Sequence, residues 1–157
     1  MARDGGLRPL FVERIKTAHW QAIESWSTGS GVPDVNVCLR GTETWIEFKT
    51  TATNAVRISS EQVGWIERRL RAGGRVLVIV RWKCLAGLRR QPRDELWIFA
   101  GAEVRALMLG GISAAVSLAH WDGGPKAWDW DMIERMLWEG WGTLSRSRLD
   151  AWHGEPT

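Results

Sequence analysis

The sequence predicts an α/β sandwich, one mixed β-sheet flanked by helices. Three observations predict it. The run Val76-Leu77-Val78-Ile79-Val80 is continuous and β-branched, as expected of a central strand buried on both faces. Residues 32–39 and 44–50 are strand-like segments joined by the polar Arg40-Gly41-Thr42-Glu43, which suits a hairpin. Helical spacing brackets both, giving the order α-β-β-β-α-β-β-α-α.

Leu10, Phe11, Arg14, Ile15 and Ala18 recur at helical spacing, and Pro9 falls in a first turn, where its missing N–H costs nothing. A first helix over 8–18, carrying Glu13, follows. Residues 20–27 alternate as a strand before the loop Ser27-Thr28-Gly29-Ser30-Gly31. Ser59 and Ser60 precede Glu61 and Gln62 and then Val63, Ile66 and Leu70, a capping-box start to a helix that Gly73-Gly74 ends. A shorter strand is expected over 96–99. Two helices are expected near 101–109 and 128–139, separated by a Gly/Ala/Ser-rich stretch and by Trp121-Asp122-Gly123-Gly124-Pro125. No repeat or linker divides the chain. Residues 1–157 read as a single domain with a core over about 8–100 and a tryptophan-rich, helical C-terminal extension over about 101–157.

The 157 residues, 45% of them hydrophobic, suffice for one core and not for two. Cys38 and Cys84 are far apart and form no CxxC pair, so neither a disulfide framework nor a zinc site is indicated. A reducing cytoplasm is expected, the host's if the chain is phage-encoded. No apolar run approaches the roughly 20 residues of a membrane span, and the first residues lack a signal peptide's apolar core. No membrane partner and no small-molecule cofactor are expected. Charge is segregated: residues 51–100 hold 10 basic and 4 acidic groups, net +6, and residues 101–157 hold 5 and 8, net −3. One anion-facing surface would explain the asymmetry, as would a solvated helix face. Of the 12 tryptophans, most are expected in the core or at a subunit interface, and some could stack on bases.

Along a strand, side chains alternate between faces, so Asp34, Asn36 and Cys38 share one face of the hairpin with Trp45, Glu47 and Lys49, leaving Ile46 and Phe48 for the core. A hairpin closing symmetrically about residues 40–43 pairs Asp34 with Lys49 and Asn36 with Glu47. Asp34 and Glu47 are then diagonal neighbours at about 7–8 Å. Two such carboxylates repel unless a cation lies between them, and hard oxygen ligands select Mg²⁺ over Zn²⁺. Phosphodiester hydrolysis needs this set: a metal to polarise phosphate and water, and Lys49 to steady developing charge or orient the water. A charged hairpin facing solvent explains the same short pattern.

Gly31-Val32-Pro33-Asp34, then Trp45-Ile46-Glu47-Phe48-Lys49, then Ser60-Glu61-Gln62 opening a helix that ends in Gly73-Gly74, resembles small PD-(D/E)XK nucleases, in particular phage VRR-NUC-like proteins and archaeal-type Holliday junction resolvases. The similarity covers roughly residues 8–82. It implies a restriction-endonuclease-like αβββαβ core in which Asp34, Glu47 and the Phe48 carbonyl bind Mg²⁺, with Mn²⁺ able to substitute, and Lys49 is catalytic. It also implies a helper acid on the first helix, for which Glu13 is the candidate and Glu24 the runner-up. Ser27, Thr28 and Ser30 before the PD element would touch the scissile backbone, and Gln62 would stand at the edge of the site. For these, loop chemistry and helix capping are equally good explanations.

The function expected is a Mg²⁺-dependent DNA endonuclease, selective for branched DNA in recombination or genome processing, with Arg57, Arg68, Arg69, Arg71 and Arg75 tracking phosphates. A homodimer presenting two sites to a symmetric junction is expected, joined through residues 128–141. Two alternatives stay open: a sequence-reading restriction, homing or nicking endonuclease, and a DNA-binding or assembly module that does not cut.

Overall fold

The computed structural model describes residues 5–23, 29–87 and 91–141. In chain order the elements are α1 (Leu7–Arg14), β1 (His19–Ala22), β2 (Val35–Leu39), β3 (Thr42–Thr51), α2 (Ser60–Arg71), β4 (Val76–Cys84), β5 (Arg93–Ala100), α3 (Val104–Gly110), β6 (Ala119–Trp121) and α4 (Trp130–Met136). The strands form one six-stranded sheet in sequence order, antiparallel throughout except for the parallel β3–β4 pair that α2 connects. This is a mixed α/β sandwich with the expected αβββαβ core, consistent with the restriction-endonuclease-like fold.

The alternation read from the sequence holds across the sheet. Val35, Val37, Leu39, Ile46, Phe48, Leu77 and Ile79 form one apolar layer with Leu7 and Phe11 of α1 and Ile133 and Met136 of α4. Val76, Val78 and Val80 form the other, with Val63 and Ile66 of α2 and Val104 and Leu107 of α3. Every residue from Val76 to Val80 is buried, as a strand covered on both faces requires. No helix among the described residues is long and apolar enough to cross a membrane.

Four expectations about the elements are corrected. The hairpin loop is two residues, not four. Arg40 (φ 50°) and Gly41 (φ 75°) both take positive φ, as a type I′ turn demands, and Leu39 pairs with Thr42, Asn36 with Trp45 and Val35 with Ile46. Continuing that register brings Asp34 level with Glu47, not Lys49. The two-residue slip is even, so the face of each side chain is unchanged. The second correction concerns α1, which stops at Arg14 rather than 18. The Ile15 N–H closes on the Phe11 carbonyl with Ile15 already at φ −117°, ψ 76°. Third, the expected spacer between the last two helices contains β6, a three-residue edge strand, so the C-terminal part is not purely helical. Last, α4 is confined to Trp130–Met136: the Asp129 side chain accepts from the Met132 N–H at its start, and short-span bonds such as Leu137 N–H to Glu134 C=O close its end.

The apolar stripe of α4 was expected to meet a second subunit. It covers its own sheet instead, with Ile133, Met136 and Leu137 each at most 1% exposed. Trp128 is buried in the same layer, and the Trp130 and Trp141 indole N–H groups donate to the Pro125 and Met136 carbonyls.

Candidate active site

β3 carries Glu47 and Lys49 on the face that α2 covers, and the turn before β2 delivers Asp34 to the same place. Glu47 is 2% exposed. Its Oε1 accepts from Lys49 Nζ at 3.0 Å and from Gln62 Nε2 at 2.5 Å. Its Oε2 is buried without a hydrogen-bond partner among the described residues. An oxygen of this kind is costly unless a proton or a cation satisfies it. Burial first, and then the Asp34 charge, push the Glu47 carboxyl up to about 7, against the opposing pull of Lys49. Asp34 is oriented by the Phe48 N–H, which donates to its Oδ2 at 3.0 Å.

Gln62 ties the site to the helix start. Its Oε1 accepts from Lys49 Nζ at 3.1 Å and from the Ser59 N–H at 3.0 Å, while its own N–H donates to Ser59 Oγ. The capping box legible in the sequence is therefore the clamp on Glu47 and Lys49 as well. The loop before Asp34 lies directly on α2. A Cβ at Gly31, whose φ is +85°, would stand 2.3 Å from the Glu61 carbonyl oxygen, so only glycine fits.

These residues line a cleft of about 500 Å³ with Ser30, Gly31, Val32 and Ser59. A groove of about 1000 Å³ continues from it along Thr50, Thr51, Thr53 and Arg57, sharing Lys49, Ser59 and Gln62. Asp34, Glu47, Lys49, Gln62, Ser30 and the Phe48 backbone are thus brought together, with Arg57 at the adjoining groove. Asp34, Glu47 and the Phe48 carbonyl could hold a cation. The unpartnered Glu47 oxygen beside Asp34 fits one, and the all-oxygen donor set suits Mg²⁺.

Glu13 is not brought to the cleft. It is exposed on α1, which packs on the opposite face of the sheet. Glu24, Ser27 and Thr28 lie outside the described residues. Arg68, Arg69 and Arg71 are exposed on α2. Arg75 is placed elsewhere: its guanidinium donates to Thr44 Oγ1 and to the Met136 and Glu139 carbonyls and stacks 4.3 Å from the Trp141 ring. It fastens the end of α4 and the segment after it to β3.

A second cluster escaped sequence reasoning. Glu95 on β5, His120 on β6 and Asp122 just after β6 hold ligand-type atoms within 4.8 Å of one another, two and three strands from Glu47. His120 Nε2 lies 3.3 Å from Glu95 Oε1, Arg93 pairs with the other Glu95 oxygen, and the His120 ring stacks on Trp97. This cluster is separate from the cleft. Pairing across β5–β6 creates it, and the short β6 showed no strand pattern in the sequence.

No family model and no curated protein matches the chain. Among solved structures, it is similar to Hjc from Archaeoglobus fulgidus, a Holliday junction resolvase from an archaeal hyperthermophile, at 20% identity and a TM-score of 0.39, over 55% of this chain and 69% of that one.

Proposed function

We propose that the chain is a divalent-metal-dependent endonuclease that hydrolyses phosphodiester bonds in DNA. The observation that carries this reading is the Glu47 carboxylate: buried, with one oxygen clamped by Lys49 and Gln62 and the other unpartnered beside Asp34. A binding-only surface has no use for two acids facing a phosphate, whereas a hydrolase has. Mg²⁺, replaceable by Mn²⁺, would be held by Asp34, Glu47 and the Phe48 carbonyl. When bound it would polarise the phosphate and lower the pKa of a water.

The chain's own residues divide the remaining work. The Lys49 side chain, 17% exposed, reaches the cleft and offers its ammonium to the charge that develops on phosphate. Gln62 holds Lys49 and Glu47 in register with α2, and burial of Glu47 keeps bulk water from its carboxylate. Ser30 and Arg57, together with Ser27 and Thr28, which precede Ser30 in sequence, are proposed to contact the DNA backbone, and Arg68, Arg69 and Arg71 to track phosphates along α2. Glu13 and Arg75 drop out of this reading because of where they sit. Branched DNA is the proposed substrate, and a homodimer the proposed assembly, through a surface other than α4.

The test gives purified protein labelled four-way junctions, Y-forks, plain duplex and single strands, each with Mg²⁺, with Mn²⁺ and with EDTA. Metal-dependent cleavage that favours the branched substrates is expected. Binding without cleavage of any substrate would turn the reading to a non-cutting module.

A further inference from the structure

Beside the cleft, on the same face of the sheet, Trp45, Trp65 and Arg69 form a stack. Trp45 lies two residues before Glu47 on β3, about 7 Å along the strand. Trp65 lies three residues after Gln62 on α2, and its ring centroid is 5.1 Å from that of Trp45. The Arg69 guanidinium carbon sits 4.6 Å from the Trp65 ring and 5.1 Å from the Trp45 ring. Both rings are half-buried and Arg69 is exposed, so the rings back a guanidinium plane that faces outward. A cavity of about 490 Å³ opens there between Trp65, Arg68, Arg69 and Gly73-Gly74.

The indole N–H groups of Trp82, Trp97 and Trp128 are buried without an acceptor among the described residues. Trp20, Trp130 and Trp141 each donate their indole N–H to a backbone carbonyl. Neither Trp45 nor Trp65 donates to an acceptor among the described residues, and neither N–H is shut away from solvent. Asn36 pairs opposite Trp45 and is half-buried, and His19 and Gln21 are exposed on the adjoining strand, so polar groups continue this face.

We propose that Trp45, Trp65 and Arg69 form a seat on which an unpaired base of a single-stranded nucleic-acid segment stacks, next to the phosphodiester held at Asp34 and Glu47. This rests on the nuclease reading and narrows its substrate to DNA with unpaired nucleotides beside the cut. Aromatic faces and guanidinium planes accept any base, because each base has a π face, and the flanking Arg68 and Arg71 supply phosphate attraction. Because the rings already hold the long Arg69 side chain, less rotamer freedom remains to be lost on binding. A stack that merely pinned α2 to the sheet would affect stability alone.

The test uses the full chain in EDTA and fluorescence anisotropy of two labelled strands of equal length, oligothymidylate and its abasic counterpart. The wild type is expected to prefer the base-bearing strand by roughly 5- to 150-fold, the range for one stacked base. Trp65→Leu, and Arg69→Lys at its exposed position, should bring that preference close to unity while changing abasic affinity by no more than about two-fold. Arg69→Lys keeps the charge and removes the plane, so it remains informative if Trp65→Leu fails to fold. Equal binding of both strands by the wild type, or a preference that survives in Arg69→Lys, overturns the seat. Mg²⁺-dependent cleavage by the same preparations separates the two ideas: cutting without base preference sinks the seat alone, and the absence of both binding and cutting sinks the nuclease reading with it.

Discussion

Gln62 Nε2 donates to Glu47 Oε1 at 2.5 Å, so the residue that closes the capping box of α2 also holds the central acid of β3. Gln62→Ala removes the cap's acceptor and both contacts to the site at once. A stability loss of about 1–3 kcal/mol is expected, together with slowed cleavage, since Lys49 and Glu47 lose their common anchor. Urea denaturation and single-turnover cleavage check this, and a variant matching the wild type in both would sever the link between cap and site.

Without metal, Glu47 should make the protein less stable as pH rises. Its carboxyl is pushed up to about 7 in the folded state from an ordinary value of 4.5, so the folded form binds the extra proton between those limits. The stability this contributes is fully present below about pH 4.5 and is lost as pH rises through 7, to an extent on the order of 3 kcal/mol. Glu47→Gln should therefore raise the melting temperature at pH 8 in EDTA and have little effect at pH 4.5. A melting curve that does not shift at pH 8 refutes the buried, repelled carboxylate.

Metal binding near neutral pH should release a proton, because Glu47 must ionise to ligate. Calorimetric titration with Mg²⁺ in two buffers of different ionisation enthalpy should give enthalpies that differ at pH 6.5 and converge at pH 8.5. Enthalpies that are equal at pH 6.5 count against Glu47 as a ligand.

Asp34→Ala and Glu47→Ala should abolish metal-dependent cleavage and leave DNA binding intact or tighter, since each removes a ligand and a negative charge near phosphate. Lys49→Ala should stop cutting while a Mg²⁺ isotherm persists. Cleavage at the wild-type rate in either acid variant removes the site from its assigned place.

The arginines should divide by role. Replacing Arg68 and Arg71 with Ala should flatten the salt dependence of DNA binding by about one unit of slope per lost contact, at little cost in stability. Arg75→Ala should do the opposite, taking from the Glu139 carbonyl its guanidinium donor and leaving the Met136 carbonyl to the Trp141 indole alone, and so lowering stability by roughly 1–3 kcal/mol with the slope unchanged. Similarly, Ile133→Ala should cost about 2–4 kcal/mol without altering the oligomeric state seen in sedimentation, because that side chain is buried in its own subunit.

What the sequence disclosed was whatever depends on periodicity and local capping. Alternation alone sent Ile46 and Phe48 to one face and Glu47 and Lys49 to the other, and Ser59 with Gln62 announced the start of α2. Hidden from it was what depends on chain closure and on partners distant in sequence. Arg-Gly is a weaker hairpin signal than Asn-Gly, so the left-handed Arg40 and the register it sets could not be read. β6 is too short to display a period, which concealed the cluster around His120. Glu13 looked like a helper acid because its helix was recognisable, but the layer on which that helix packs is decided by Leu7 and Phe11. The C-terminal tryptophans suggested a subunit interface because nothing local says that Arg75, some 60 residues earlier, receives Trp141 and the end of α4, or that Arg40 and Arg81 lie over Trp138 and Trp128.

The two-residue turn at Arg40-Gly41 makes the hairpin unusually intolerant of length changes. Inserting one residue there, with the two-residue turn kept, would slip β2 by one residue against β3 and turn each of its side chains to the opposite face. Val35 and Val37 would be thrust toward the polar side, and Asp34 would be driven into the apolar layer beneath Phe11. Deleting one residue would do the same. In any set of variants that retain cleavage, this loop should therefore favour residues that tolerate positive φ, such as Gly, Asn and Asp, at position 40 and should hardly vary in length, the reverse of what is usual for an exposed connection.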